Sequence, residues 1–535
     1  MIRSEIIKII GEVLGNKEGF WLITGAAMVM YGIKLNTTDI DIGCTENFFR
    51  ELQSNGYSVI KKNGYPNRIQ INDFIEVLEG IEVTDIKYIE GIPVCTITDI
   101  VKFKKKLNRK KDREDLQRIE NYIQHINMRT RRFHDILDYC KKNVPYYQEQ
   151  LEKVDIENKD ILLELPIVDK KQYVENSEDF LSELICKDDV VWEFTSGSTG
   201  QPLSICKSKR ERIIQGWTLQ TNRRENGLAL DGSIMIRFHN YVNESANKEI
   251  LKEPVLINGQ IYFPVLYFND GNIKKLCQLL QRYEKVWIYG TPSQVFKLCD
   301  LLNEGFPLEK ITYIELFGEV LFGHQKERIL STFKCPVRNM YGCHEVWAIA
   351  YECACGNMHI LENNVILEIL DKNGKNVGYN KEGEIVITSL VQRTMPFIRY
   401  RIGDRGIIRK SECLCGKTSD ILELSAARIA DDILMKNGKR ISSIIFLHVL
   451  MLVNQEKVII KQFQIYQRDY MKFEIFIVTS LNQEKKKIET IFCQVLTDVL
   501  GGKVELDFKY VENIAINSQT GKQKYFFPME SISIK

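Results

Sequence analysis

Residues 193–202 read Glu-Phe-Thr-Ser-Gly-Ser-Thr-Gly-Gln-Pro, and they decide the fold. The apolar run Val190–Trp192 leads into this stretch and predicts a short β-strand. Glycines let a backbone approach a ligand closely, and N–H and hydroxyl groups donate hydrogen bonds to phosphate oxygens. The stretch therefore predicts a loop that wraps a polyphosphate, and a Ser/Gly surface turn is the alternative. The candidate residues are Thr195, Ser196, Gly197, Ser198, Thr199 and Gly200.

No lysine follows Gly200, so this is not the nucleotide-binding loop that ends in Gly-Lys-Ser/Thr. The stretch resembles the Thr-Ser-Gly-Ser/Thr-Thr-Gly-x-Pro loop of adenylate-forming ligases, which activate a carboxylate with ATP. The resemblance implies that the loop holds the phosphates of ATP.

The composition is that of a multi-domain globular protein. With 535 residues the chain is too long for one hydrophobic core. Apolar residues make up 44% and charged residues 27%, and the net charge of +2 predicts no bulk attraction to nucleic acid or an acidic membrane. The longest apolar run, Ile444–Val453, is too short to span a bilayer. Since the start of the chain does not read as a signal peptide, we expect a cytoplasmic protein with reduced thiols.

Beyond the loop, three predicted strands each end in glycine or polar residues. Lys285–Tyr289 ends in Gly-Thr-Pro-Ser, Ile311–Phe317 in Gly-Glu, and Pro336–Met340 in Tyr-Gly-Cys-His-Glu. With helices between them, such strands predict a parallel α/β sheet, whose ligands sit at the C-terminal edge of the strands. The predicted fold class is therefore α/β and multi-domain.

At that edge, the resemblance to adenylate-forming ligases implies roles for several residues. In that superfamily the Gly-Glu pair and the Tyr-Gly element line the adenine and acyl pocket, and the Glu of Tyr-Gly-x-Ser/Thr-Glu holds Mg²⁺. Tyr341 offers a π face to a base and Glu345 a hard oxygen to Mg²⁺, although core packing is the alternative for the tyrosine. His344 occupies the usual hydroxyl position, where an imidazole can still bond a phosphate. The matching residues are Gly318, Glu319, Tyr341, Gly342, His344 and Glu345.

Residues 396–406 read Pro-Phe-Ile-Arg-Tyr-Arg-Ile-Gly-Asp-Arg-Gly. They resemble the Tyr-Arg-Thr-Gly-Asp element of the same superfamily. There the Asp accepts hydrogen bonds from both ribose hydroxyls, as a carboxylate with two oxygens can. The resemblance assigns this role to Asp404, and a chance Gly-Asp turn is the alternative.

A branch of the superfamily fits the larger part of the chain. Residues 129–150 predict a basic amphipathic helix that stops before Pro145. Its Asn-Val-Pro-Tyr-Tyr ending and the Leu-Pro-Ile-Val-Asp-Lys at 165–170 resemble the opening of phenylacetate–CoA ligase relatives. The resemblance implies a large adenylate-forming α/β domain over 129–430 and a small C-terminal α+β lid over 431–535.

Two further candidate residues lie toward the end of the chain. Residues 421–434 resemble the family's Gly-Arg-x-Asp-Asp hinge, which implies that Arg428 contacts the nucleotide and that Asp431 or Asp432 is the pivot. The Thr-Gly-Lys triplet that ends at Lys522 resembles the triplet whose lysine contacts the α-phosphate and the substrate carboxylate. An ammonium there pairs with charge that grows in the transition state. A solvated loop lysine is the alternative.

Four of the 14 cysteines lie in two Cys-x-Cys-Gly knuckles, which are Cys353, Cys355, Cys413 and Cys415. Four thiolates on two tight turns predict a tetrahedral zinc site, and free thiols are the alternative. Relatives of phenylacetate–CoA ligase often carry a Cys…His pair and a Cys-x-Cys in these places. That resemblance implies the set Cys353, His359, Cys413 and Cys415. Either set fills all four positions, so the zinc would be structural.

The first segment carries a separate cluster of carboxylates. A strand at Phe20–Thr24 precedes a helix that ends at Gly32, and Thr37–Ile42 is an alternating strand. Asp39 and Asp41 are two apart on that strand and would share one face. Like charges side by side are unfavourable unless a cation lies between them, so the pair suits Mg²⁺ and a nucleotide phosphate.

Glu76, on a predicted strand at Phe74–Leu78, adds a third carboxylate, and residues 99–124 predict one charged helix. The pattern resembles the small nucleotidyltransferase fold and implies an N-terminal nucleotidyltransferase-like α+β domain over 1–128, with Asp39, Asp41 and Glu76 as its catalytic carboxylates. Because Ala26 and Leu35 depart from that pattern, a fold retained without catalysis is one alternative, and a solvated Asp-x-Asp strand is another.

The resemblances together imply an AMP-forming ligase that uses ATP and Mg²⁺. It would join a small-molecule carboxylic acid to coenzyme A, a carrier-protein thiol or an amine, without nucleic-acid or membrane partners. Aromatic residues such as Phe238, Tyr262 and Trp287 hint at an apolar acyl pocket. A bifunctional protein with an active first segment is one alternative. A catalytically silent nucleotide-binding protein is another, which His344 and the Gln201 in place of lysine favour.

Overall fold

The computed structural model describes most of the 535 residues. Those outside the description are 16, 63–64, 153, 157, 159–160, 195–202, 230–231, 240–250, 266, 303–304, 429–432, 438–439, 442, 444, 447–448, 450–452, 454–459, 480–484, 515–523 and 530–535, together with the side chains of 194, 426–428, 440 and 461.

The described residues form two compact units. The first contains Met1–His134 and Lys410–Ile421, and the second contains Asp135–Arg409 and Leu422–Lys535. The domain boundaries placed at 128 and 430 from the sequence stay predictions.

The first unit is a mixed sheet with helices, and its strand order is β3-β4-β5-β2-β1-β7-β6. The strands are β1 (Phe20–Leu22), β2 (Ile40–Cys44), β3 (Val59–Ile60), β4 (Arg68–Gln70), β5 (Ile75–Glu79), β6 (Ile86–Ile89) and β7 (Ile92–Cys95). The helices are α1 (Arg3–Val13), α2 (Thr24–Tyr31), α3 (Glu46–Ser54), α4 (Ile97–Leu107) and α5 (Lys110–Asn143). Apolar faces of α1, α2 and α3 and both inner strands β1 and β2 form its core.

Two expectations for this unit are corrected. Gly32 does end α2, in the left-handed region at φ 77°, but the strand predicted from Thr37 begins only at Ile40, so Asp39 precedes it. The helix predicted over 99–124 is two helices, because Asn108 adopts φ 48° and closes α4. Asparagine tolerates this conformation better than most residues. Helix α5 then runs unbroken to the residue before Val144-Pro145, where proline begins the next helix.

The second unit begins with short elements and a hairpin. These are α6 (Pro145–Leu151), α7 (Ile161–Glu164), α8 (Lys170–Glu175), β8 (Val190–Phe194), β9 (Ser204–Ser208) and α9 (Lys209–Glu225). Strands β8 and β9 pair antiparallel, and Phe194 opposite Ser204 is the pair nearest the glycine-rich loop. Helix α9 begins with a capping box, in which Ser208 and Glu211 bond each other's backbone N–H.

A large sheet forms the centre of this unit. Its elements are β10 (Ser233–His239), β11 (Val255–Ile257), β12 (Gln260–Pro264), α10 (Asp270–Leu280), β13 (Lys285–Gly290), α11 (Pro292–Leu301), β14 (Ile311–Phe317), α12 (Gly323–Phe333), β15 (Val337–Cys343), β16 (Trp347–Glu352), β17 (Met358–Ile360), β18 (Val365–Leu370), β19 (Glu382–Ser389), β20 (Tyr400–Arg409) and β21 (Ile421–Arg428). Among the described residues the strand order is β11-β12-β10-β13-β14-β15-β16-β17-β21-β20-β19-β18.

The predicted parallel arrangement is confirmed. Strands β12, β10, β13, β14 and β15 pair in parallel, and α10, α11 and α12 cover their apolar side chains. Three bounds differ. Strand β13 continues to Gly290, and β15 begins at Val337. Strand β15 also does not stop at Met340 but continues to Cys343 and pairs antiparallel with β16. Gly342 permits this pairing, since a Cβ there would lie 1.9 Å from the carbonyl oxygen of Trp347.

The last elements are β22 (Ile433–Leu434), β23 (Arg440–Ile441), β24 (Ile460–Asp469), β25 (Lys472–Thr479), α13 (Lys485–Leu500), β26 (Glu505–Tyr510) and β27 (Phe526–Phe527). Strands β26-β25-β24-β27 form a small sheet, and apolar residues of α13 pack on it. None of the helices in the described part of the chain is both long and apolar enough to cross a membrane.

Candidate active site

Tyr341 and Asp404 meet at the C-terminal edge of the parallel strands. Tyr341 lies on the extension of β15, and its hydroxyl donates a hydrogen bond of 2.8 Å to Oδ2 of Asp404 on β20. The two residues are half-buried, and Gly403 precedes the aspartate at φ 85°. Since one carboxylate has about four acceptor sites, this bond leaves acceptor capacity for a ligand's hydroxyls.

Glu345 follows in the turn between β15 and β16 and is 6% exposed. The hydroxyl of Tyr400, at the start of β20, donates to Oε1 of Glu345 at 2.8 Å. Burial, and then the neighbouring Glu345 carboxylate, raise the pKa of Tyr400, so the phenol stays protonated and keeps donating. The hydrogen bond therefore fixes the orientation of the Glu345 carboxylate.

The loop after β14 lies beside the start of α11. Gly318 adopts φ 74°, and Oε2 of Glu319 accepts a 3.1 Å hydrogen bond from the backbone N–H of Ser293, in the first turn of the helix. Thr291 caps the same helix through its hydroxyl. The loops after β13 and β14 are thus held together, as expected for neighbouring strand ends.

The sequence reasoning missed two residues of this region, Glu193 on β8 and Lys207 on β9. Lys207 Nζ bonds Oε2 of Glu193 at 2.9 Å and the carbonyl oxygen of the exposed His344 at 2.6 Å. No motif identifies them, because each alternates with apolar neighbours as an ordinary strand residue does.

Several predicted site residues lie outside the described part of the chain. These are Thr195, Ser196, Gly197, Ser198, Thr199, Gly200, Asp431, Asp432 and Lys522. Arg428 ends β21, but its side chain is also outside the description. Of the aromatic residues suggested for an acyl pocket, Phe238 and Trp287 are 7% and 5% exposed and belong to hydrophobic cores, and Tyr262 is half-buried.

The carboxylates of the first unit lie at neighbouring strand positions. Asp41 on β2 is directly opposite Glu76 on the parallel strand β5. Thr24, at the start of α2, donates its hydroxyl to Asp41, and Arg68 Nη1 pairs with Glu76 at 3.0 Å. Burial raises the pKa of Asp41, and the nearby Asp39 and Glu76 charges add to the shift. Asp39 itself is exposed.

The predicted metal ligands are divided between the two units. Cys353 lies at the end of β16 and His359 on β17, both in the second unit, while Cys413 and Cys415 lie in the part of the first unit that connects β20 to β21. Cys355 is exposed, whereas the other four side chains are buried or half-buried. The set of four zinc ligands stays a prediction.

Comparison with known proteins finds similar chains among CapK proteins and phenylacetate-coenzyme A ligases. Residues 433–527 match the family model described as the CapK C-terminal domain. Protein CapK of Staphylococcus aureus is 21% identical over 419 residues, which cover 77% of this chain and 91% of that protein. Phenylacetate-coenzyme A ligase of Thermus thermophilus is 22% identical over 296 residues, 53% of this chain and 65% of that protein.

A solved structure of 2-hydroxyisobutyryl-CoA ligase, in the postadenylation state with R3-HIB-AMP bound, matches 76% of this chain and 90% of its own, with a TM-score of 0.59 and 17% identity. The chain shares the fold of this CoA ligase. The α/β fold expected from the glycine-rich loop and the three strand ends is therefore confirmed.

Proposed function

We propose that the protein activates a carboxylic acid with ATP. A carboxylate oxygen attacks the α-phosphorus, the bond between the α- and β-phosphates breaks, and pyrophosphate leaves with the electron pair. A thiol of coenzyme A or a carrier protein, or an amine, then attacks the acyl carbon and displaces AMP. The observation that carries this function is the Tyr341–Asp404 hydrogen bond of 2.8 Å, at the sheet edge of a fold shared with a CoA ligase.

The proposal assigns a role to each residue. Asp404 accepts the ribose hydroxyls, Tyr341 and Gly342 contact the adenine with Gly318 and Glu319, and Glu345 would hold Mg²⁺. The loop from Thr195 to Gly200 holds phosphates, and the imidazole of His344 bonds a phosphate. Arg428 and Lys522 contact the phosphate side, and residues 431–535 act as a lid that moves between the half-reactions. Bound Mg²⁺ would neutralise the departing pyrophosphate.

Pyrophosphate exchange tests this function. The protein is incubated with ATP, Mg²⁺, labelled pyrophosphate and a panel of aryl, fatty and hydroxy acids. We expect label in ATP that depends on one class of acid, because adenylation is reversible. Label that appears with no acid, or equally with every acid, contradicts the proposal. Addition of coenzyme A or hydroxylamine then identifies the acceptor class.

Zinc at Cys353, His359, Cys413 and Cys415 is a separate part of the proposal, and its role is structural because four protein ligands leave no open position. We expect about one zinc per chain by elemental analysis of purified protein, and near zero in Cys413→Ser. Cys355→Ser is the matched control and should keep the metal. Loss of zinc in both variants, or in neither, would contradict this ligand set.

A second function, nucleotide transfer by the first unit, is favoured by one observation: the register that sets Asp41 opposite Glu76. In a bifunctional protein, this nucleotidyltransferase-like unit would transfer a nucleotide, and the ligase portion would supply or sense its substrate. Incubation with α-labelled nucleotides and the protein's own chain as acceptor tests it, and label that persists in Asp41→Ala contradicts it. Cytoplasmic location stays a prediction.

A further inference from the structure

We propose that Lys207 and Glu193 form a positioning pair that fixes the β8–β9 hairpin relative to the segment from His344 to Trp347. This inference rests on the proposed function, and it adds two residues to that site. Neither side chain is placed in contact with substrate; both act through the segments that they join.

The pair lies at the base of the glycine-rich loop. Glu193 is two residues before Thr195 on β8, and Lys207 is on β9, the strand by which the chain returns. The side chain of Lys207 is 0% exposed and that of Glu193 is 16% exposed. Burial lowers the pKa of Lys207, and the Glu193 carboxylate opposes that shift. Removing a lysine ammonium from water carries a desolvation penalty that can exceed the attraction of its partner, so a gain in stability alone does not explain the pair.

The pair reaches the other half of the site through two contacts. Lys207 Nζ bonds the carbonyl oxygen of His344 at 2.6 Å, and the indole N–H of Trp347 donates to Oε2 of Glu193 at 3.2 Å. The ammonium also lies 5.1 Å from the centre of a Trp347 ring, within the range of a cation–π interaction. Both ends of the segment from His344 to Trp347, which contains Glu345, are therefore tied to the hairpin.

The turn needs such support. Trp347 adopts φ 61°, in the left-handed region, where a bulky side chain strains the backbone. Its carbonyl oxygen approaches the backbone of Gly342, where a Cβ would be 1.9 Å away. Contacts that hold Trp347 in this conformation therefore also set the direction in which Tyr341 and Glu345 project.

The test combines Lys207→Met, Glu193→Gln and the double variant with measurements of activity, ATP affinity and stability. Glu193→Gln leaves the buried Lys207 without a carboxylate partner, and Lys207→Met leaves Glu193 with only Arg212, whose Nε lies 3.2 Å from Oε1 of Glu193, so both lower the melting temperature. The double variant removes both buried charges and leaves only the partly exposed Arg212 unpaired, so its melting temperature recovers. If the pair positions the site, kcat/KM for ATP in pyrophosphate exchange stays about tenfold to a hundredfold below wild type in the double variant, while KM for the acid changes little.

Lys326→Met is the matched control. Lys326 pairs with the buried Glu352, at the far end of the same strand that Trp347 begins. The variant Lys326→Met makes the same substitution in another ion pair of this unit. It should leave kcat/KM for ATP within about twofold of wild type. Recovery of kcat/KM in parallel with the melting temperature, unchanged kinetics in all three variants, or an equal loss in Lys326→Met overturns the proposal.

Calorimetric titration with Mg·ATP separates this proposal from the function on which it rests. If no acid supports exchange but the double variant binds ATP about tenfold more weakly than wild type, the positioning role stands and the ligase function fails. If wild type exchanges pyrophosphate, and the double variant matches wild type in both ATP affinity and kcat/KM for ATP, only the positioning role fails. A wild-type chain that does not bind ATP overturns both.

Discussion

The two carboxylate sites of this protein differ in what holds the acidic groups. In the second unit, Asp404 and Glu345 accept hydrogen bonds from the phenols of Tyr341 and Tyr400. In the first unit, Glu76 is paired with the guanidinium of Arg68. A phenol orients a carboxylate and leaves its charge, whereas a guanidinium neutralises it. Under the proposed function, the second site offers its charge to ribose hydroxyls and a cation, whereas Glu76 in the first site would have to exchange Arg68 before it binds one.

The largest expected effect is at Asp404. Asp404→Ala removes two charged hydrogen bonds to ribose, worth about 3 kcal/mol together, so kcat/KM for ATP in pyrophosphate exchange should fall about a hundredfold or more. Asp39→Ala, in the first unit, should leave the exchange unchanged. An exchange that is lost in Asp39→Ala and kept in Asp404→Ala would reverse the comparison.

Substitutions of Glu345 and Tyr400 should raise the Mg²⁺ requirement of the exchange by different amounts, both smaller than the effect at Asp404. Glu345→Gln removes the charge that would bind Mg²⁺, so the Mg²⁺ concentration that gives half-maximal exchange should rise about tenfold. Tyr400→Phe removes only one hydrogen bond from a neutral donor, worth about 1 kcal/mol. The Mg²⁺ concentration for half-maximal exchange should therefore rise about fivefold at most. A larger effect from Tyr400→Phe than from Glu345→Gln would show that the carboxylate does not act through its charge.

Arg68 allows the complementary experiment on the first unit. Arg68→Met removes the cation that pairs with Glu76, so Mn²⁺ should bind this unit more tightly, by about fivefold at most because the pair is partly exposed. Electron paramagnetic resonance titration of free Mn²⁺ measures this, with Arg50→Met on α3 as the control. Weaker Mn²⁺ binding in Arg68→Met would mean that the arginine supports the site and does not compete for it.

The smallest effect concerns the pH dependence of stability. Burial raises the folded-state pKa of Asp41, so ionising it destabilises the first unit as the pH rises above the ordinary carboxyl value of about 3.9. Asp41→Asn removes that charge and should raise the melting temperature of this unit at pH 7, with a smaller difference at pH 3, where both side chains are neutral. If calorimetry shows that Asp41→Asn melts at a lower temperature than wild type at pH 7, the raised pKa of Asp41 is contradicted.

Much of the fold followed from local sequence patterns. Strand β14 begins and ends where its apolar residues predict, and glycine or polar residues mark the ends of the parallel strands. The break at Asn108 was missed because asparagine is also common within charged helices, and the left-handed conformation leaves no pattern in neighbouring residues. The continuation of β15 through Gly342 was missed because strand pairing there depends on Trp347, which comes later in the chain.

Site residues that stand in a recognisable motif could be predicted from the sequence. Residues whose role depends on a contact with a distant strand could not. Asp404 and Glu345 stand in recognisable motifs. Tyr400 gave no separate signal because its hydroxyl acts on Glu345, 55 positions away in the sequence. Lys207 reads as a surface lysine until the His344 carbonyl, 137 positions away, is placed next to it.

The most direct measurement is a crystal structure of the protein with a non-hydrolysable ATP analogue and Mg²⁺. The ribose hydroxyls should lie within hydrogen-bond distance of the Asp404 carboxylate, with the adenine beside Tyr341 and the metal on Glu345. A nucleotide bound only at Asp39, Asp41 and Glu76, with none at Asp404, would contradict the ligase function and assign the nucleotide chemistry to the first unit.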